Sequence, residues 1–183
     1  MITIISSLFG LITILLSIIG YGNIFNNRRD NDLFLTVIVG YFIVGFITLF
    51  FHFFLPISDY VSFSVIFVGI VLLFISKFNI LSKKFIYSIF CLILANFILL
   101  GYSNHPIDAN MYHHPYISYL NSEKIIYSIA NIEFRFGHIS LLQFVQSAFS
   151  NNFFNPLTIS SVNIIFYTFF LTYCFEILFK KSG

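Results

Sequence analysis

Leu33-Phe-Leu-Thr-Val-Ile-Val-Gly-Tyr-Phe-Ile-Val-Gly-Phe-Ile-Thr-Leu-Phe-Phe-His-Phe-Phe-Leu55 contains no Asp, Glu, Lys or Arg, and its reading decides the rest. As a helix rising about 1.5 Å per residue, it is long enough to cross the ~30 Å hydrocarbon core of a bilayer. As an isolated strand it would leave backbone polar groups unpaired in lipid. Working outward, four further apolar runs qualify as spanning helices, at 2–21, 60–76, 85–101 and 157–178. Pro56 separates 33–55 from 60–76, which makes these two a tight hairpin. The run 2–21 lacks a basic leader and a small-residue cleavage site, so it reads as a retained helix and not as a signal peptide. Across all 183 residues, 58% are hydrophobic, 27 are Phe and only 9% are charged. A soluble domain carries about 25% charged residues. The sequence therefore predicts an all-α fold. It is a single membrane domain over 1–183, with about five transmembrane helices and short amphipathic helices in one extracytoplasmic loop, 102–155.

The connectors orient it. Arg28 and Arg29 follow the first span, Lys77, Lys83 and Lys84 lie between the third and fourth, and Lys180 and Lys181 follow the fifth. With five spans these connectors share one side, and the positive-inside rule makes that side cytoplasmic. The N-terminus is then outside and the C-terminus inside. The net charge of +2, scattered at span ends, gives no footing for nucleic acid. Cys91 and Cys174 each sit inside an apolar run and read as inert buried thiols.

Polar chemistry collects in the loop, which opens Tyr102-Ser-Asn-His-Pro-Ile-Asp-Ala-Asn-Met-Tyr-His-His-Pro-Tyr-Ile117. A helix is expected from near Tyr112, with Pro115 in its first turn. Tyr112, Tyr116 and Tyr119 share one face of it, to lie on the membrane surface or to stack on a sugar or lipid. A second helix is expected after Gly137, with Ile139, Leu142, Val145 and Phe149 as its apolar stripe and Gln143 and Gln146 opposite.

Asp108 reads either as a general base at the membrane boundary or as a helix cap or solvated turn carboxylate. Arg135, between Phe134 and Phe136, suits a bidentate phosphate or a structural ion pair with Asp108 or Glu133. His113 and His114 are adjacent, point about 100° apart on a helix and do not readily share one metal. A divalent metal stays open, but no cofactor is expected and the stronger zinc spacings are absent. His52, Asn96, Asn163 and Glu176 are polar groups inside apolar runs, best satisfied by hydrogen bonds within the bundle.

The runs Asp108-Ala-Asn-Met-Tyr112-His113-His114-Pro115, Lys124-Ile-Ile, Ala130-Asn-Ile132 and Arg135-Phe-Gly137 resemble a bacterial branch of the GT-C membrane glycosyltransferases. Ser128 and Glu133 depart from that pattern, where Gly and His are expected. The resemblance implies transfer of a sugar from a polyprenyl-phosphate donor to a glycan or lipid acceptor, at the outer face of the bacterial inner membrane. It implies Asp108 as the catalytic group. Arg135, with His113 or His114, would bind the lipid-linked phosphate, and Tyr112, His138 and Lys124 complete the substrate-binding set. GT-C enzymes usually have more spans than five, so the resemblance implies the N-terminal part of such an enzyme or a reduced relative. Two other readings use the same residues differently. One is a non-catalytic membrane partner binding glycolipid or protein through the loop. The other is a small transporter subunit, which the nearly charge-free spans favour least.

Overall fold

The chain's first apolar run becomes the centre of the molecule. In the computed structural model, which describes residues 2–24, 32–76, 78, 82–101, 109–128, 131, 140–150 and 158–180, α1 (Ile2–Asn23) lies between α2 (Leu33–His52) and α3 (Asp59–Ile75). Leu11, Ile14, Leu15, Ile18 and Ile19 of α1 are wholly buried. Glycines let the three backbones touch. A Cβ built on Gly20 would stand 1.8 Å from the Gly69 carbonyl oxygen of α3, and one on Gly40 of α2 would stand 2.0 Å from the Ile18 carbonyl oxygen. Small residues at crossing points are how helices associate where lipid removes the hydrophobic drive between them. Ser17 Oγ and Tyr21 Oη both donate to the Val65 carbonyl of α3, at 3.4 and 2.9 Å.

Asp32 caps α2 by accepting from the Phe34 and Leu35 amides at 3.0 and 3.3 Å. The helix stops at His52, three residues before the expected span ends, and Pro56 leads into α3. The expected tight hairpin of these two helices does not form, because α1 packs between them. Two longer helices complete the bundle, α4 (Lys83–Gly101) and α7 (Thr158–Lys180), with α5 (His114–Ser122) and α6 (Leu141–Phe149) between them. Among the described residues every regular element is helical, so the all-α class holds.

The helix ends sort into two groups. Asn23 at the end of α1 bonds Ser76 just after α3. Phe34 at the start of α2 stacks on Tyr173 near the end of α7, with ring centroids 4.3 Å apart. Lys84 at the start of α4 pairs with Glu176 of α7 at 2.6 Å. One end of the bundle thus gathers the end of α1, the start of α2, the end of α3, the start of α4 and the end of α7. Tyr41 of α2 donates to the Val162 carbonyl of α7 within the core. Two of the described helical stretches, Ser6–Asn23 and Leu33–His52, are long and apolar enough to cross a membrane, with mean hydropathies of 1.5 and 2.5. Asp59–Ile75 and Val162–Leu178 are shorter apolar stretches.

Candidate functional site

At the opposite end of the bundle, the described parts of the loop pack on the α2–α3 connection. A π-helical turn, Ala109–His113, runs directly into α5. Pro115 falls in the first turn of α5, where its missing N–H costs nothing. Backbone hydrogen bonds stitch this segment to the α2–α3 connection: Ile57 N–H donates to Leu120 O at 2.9 Å, and Ile125 N–H to His52 O at 3.1 Å.

The tyrosine face of α5 points inward, and the membrane-surface expectation for it fails at Tyr116. That residue is buried with Ile57, Leu120 and Phe144, in an apolar cluster at the α2–α3 connection. Tyr119 stacks on Tyr116 at 6.0 Å, while its hydroxyl donates to Lys124 O at 3.0 Å and accepts from Ile126 N–H at 2.9 Å. Burial pushes both phenols up, assisted by the neighbouring Tyr119 in one case and by Glu123 in the other, so neither is a base near neutrality.

α6 starts at Leu141, later than expected, because Ser140 forms a capping box with Gln143. Its buried face is also rotated from the expected stripe. Val145 and Phe149 of that stripe are buried, but Leu142 is exposed, Ile139 lies outside the described residues, and Gln143, expected on the polar side, is buried with Phe144 and Ala148. The physical cause is the amide's double use. Gln143 Oε1 accepts from Ser140 N–H at 3.1 Å, and Nε2 lies 3.4 Å from Nδ1 of His113. At the other end of α6, Asn121 donates to Ser150 Oγ at 2.7 Å and accepts from Ser147.

The sequence-derived site residues fall into two sets. Asp108, Arg135 and His138 lie outside the described residues, as do His105 and Glu133. Tyr112, His113, His114 and Lys124 are described. The structure brings Tyr112 and His113 together, with ring centroids 4.5 Å apart. His113 is exposed, and an Nδ1 that accepts from the Gln143 amide leaves the ring proton on Nε2. Lys124 is exposed beyond the α5 turn. His52 is buried beneath Phe144 and Tyr119, at 5.7 and 6.2 Å, and does not open to the surface. Its Nδ1 and the Asn163 Oδ1 have no hydrogen-bond partner among the described residues, unlike Glu176, which pairs as expected. No group of three or more His, Cys, Asp or Glu side chains able to hold a metal occurs among the described residues.

Sequence reasoning missed a second feature, at the Lys84–Glu176 end. A cavity of about 750 Å³ lies between α4 and α7 and is bounded by the start of α2. Cys91, expected to be buried and inert, is half-buried and lines it. The available clue was the α4 spacing Lys84, Ser88, Cys91, Ala95, which marks one face with no bulky side chain.

These features define an all-helical protein with membrane-competent helices and a structured loop docked on one end. The chain belongs to the family described as a domain of unknown function, DUF8201, whose model matches residues 1–182. Neither a curated protein nor a solved structure matches it.

Proposed function

We propose that this chain crosses the membrane five times, N-terminus outside and C-terminus inside, and that its outer loop handles a polyprenyl-phosphate-linked sugar in the manner of the GT-C glycosyltransferases it resembles. The observation that carries this reading is the docking of the π-helical turn, α5 and α6 on the α2–α3 end. This turns a polar loop into a built surface with an oriented imidazole. π-Helical turns recur at functional sites, and this one follows Asp108 directly in sequence.

Two physical facts support the membrane part. Phe46, Phe50, Phe67 and Phe74 face outward at 60, 62, 68 and 74% exposure, a cover of apolar rings that water would penalise and lipid would not. The basic residues Lys83 and Lys84 start α4 at the bundle end opposite the docked loop, and Arg28, Arg29, Lys77 and Lys181 adjoin that end in sequence.

In the proposed reaction an acceptor hydroxyl attacks the anomeric carbon and loses its proton to Asp108. The bond from that carbon to the phosphate oxygen breaks, and polyprenyl phosphate leaves. Arg135 and the Nε2–H of the exposed His113 hold its growing negative charge. General-base assistance contributes on the order of 10²–10⁴-fold. Asp108→Asn keeps the shape and removes the base, so sugar transfer to extracytoplasmic acceptors should fall by that factor at unchanged protein level. Undiminished transfer would leave the loop a binding surface for glycolipid or protein, and the catalytic assignment would be wrong.

Topology is tested separately. In a background lacking Cys91 and Cys174, cysteines at Ser103 and at the exposed Ser122 should react with an impermeant thiol reagent on intact cells. One at Ser82 should not. Labelling at Ser82 alone would reverse the orientation.

A further inference from the structure

The contact between Gln143 and His113 ties α6 to the π-helical turn, and its direction is set at the other end of the amide. Gln143 Oε1 accepts from the Ser140 N–H at 3.1 Å, closing the capping box of α6. That bond leaves the Nε2 side of the amide for His113, whose Nδ1 lies 3.4 Å away. Turning the amide over would set its NH2 against the Ser140 N–H and undo the cap. The flipped amide is therefore disfavoured about tenfold or more, the effect of one hydrogen bond left unmade. Gln143 is only 9% exposed, so water competes little for its N–H. The Tyr112 ring, 4.5 Å from the imidazole and tilted by 47°, is a second restraint on that ring.

A neutral imidazole has one N–H and one lone pair, and the two serve different chemistry. Ligating a metal or taking a proton needs a free lone pair, whereas holding an oxygen atom needs an N–H. With its lone pair spent on Gln143, His113 has no free one to offer. Nε2 carries the proton, on a ring that is exposed.

We propose that Gln143 is a positioning residue that fixes His113 as a hydrogen-bond donor, and that the ligand His113 meets is an oxygen acceptor and not a metal ion. In sugar transfer that acceptor is a phosphate oxygen of the leaving group, and this part of the inference rests on the reading above. The placement of the proton rests on Ser140, Gln143 and His113 alone.

The ring nitrogens test the placement directly, by nitrogen magnetic resonance of the full chain in detergent with isotope-labelled histidine. At about pH 8, above the ordinary histidine range, His113 should show a protonated Nε2 and an unprotonated Nδ1. Its signals are those lost in His113→Gln. Gln143→Glu keeps the capping box, which takes Glu as readily as Gln, but sets a carboxylate oxygen where the amide N–H stood. A proton should then sit on Nδ1. A wild-type ring protonated at Nδ1, or a pattern that Gln143→Glu leaves unchanged, would overturn the positioning role. Cobalt(II) should leave the wild-type His113 signals sharp. Selective broadening of them would reveal a free lone pair and overturn the donor assignment.

Sugar transfer gives the second readout. His113→Ala should lower it about 10²-fold, the loss of one donor to a developing oxyanion. In His113→Gln the new amide oxygen can accept from Gln143 while its N–H replaces that of Nε2. This variant should recover about tenfold of the loss. Equal losses in the two variants would make His113 a base or a metal ligand instead. If neither the wild type nor any variant transfers sugar, the glycosyltransferase reading fails by itself, and the ring nitrogens still decide the role of Gln143.

Discussion

Asn121, next to last in α5, has both ends of its amide engaged, donating to Ser150 and accepting from Ser147. No ionised group takes part, so this join between α5 and α6 is insensitive to salt. Removing the amide leaves the hydroxyls of the buried Ser147 and the half-buried Ser150 to find new partners. Asn121→Ala should cost about 2 kcal/mol, read as a lower unfolding midpoint in detergent. A loss below a few tenths would mean that water replaces the amide without penalty. Ser128 raises a different residue-scale point. It is the one described non-glycine residue with positive φ, at 65°, in the left-handed region. The expectation of Gly at this position came from the family pattern alone, and the backbone supplies a physical reason for it. Ser128→Gly should relieve the Cβ clash and raise stability by about 0.5–1 kcal/mol, after the extra entropy of the unfolded glycine is counted. A fall in stability on that substitution would mean that the serine hydroxyl contributes more than the strain removes.

At the scale of elements, the long helices were legible because long apolar runs without charge or interior proline favour continuous helix. Their ends were legible to within a few residues, since Asp32, Pro56 and Lys83 are physical stops. The short helices were legible as elements but not in their rotation. The α6 stripe was assigned from hydrophobicity, and the register is set instead by a polar residue, Gln143, held by the Ser140 cap and His113. No single-sequence periodicity carries that information. The close approach of α1 to its neighbours was equally hidden, because a glycine in an apolar run looks like any other small residue. It yields a paired prediction. Gly20→Ala drives a methyl into the backbone of α3, which cannot move alone, and should cost about 3 kcal/mol. Gly45→Ala meets only the Leu141 side chain, with its nearest atom at 2.6 Å, and should cost about 1 kcal/mol as that leucine changes rotamer. Thermal unfolding of the two variants side by side decides it, and equal losses would rule out the backbone-contact explanation.

For the whole molecule, the composition was enough to foresee a helical fold, while the site was legible only in part. The sequence pointed to one loop and its histidines, and His113 does stand oriented on the docked segment. It gave no hint of the cavity at the other end, since that arises from the pairing of α4 with α7, two helices far apart in the chain. The pairing has a consequence for how the protein is made. α4 packs chiefly on α7, and 56 residues separate Gly101 from Thr158. At about 5–20 residues per second of synthesis, α4 waits roughly 3–11 s before its partner exists. During that interval the face of α4 that carries Ser88, which lines the cavity shared with α7, has no α7 beside it. The order of translation therefore leaves α4 as the helix, among the first four, whose main packing partner is made last.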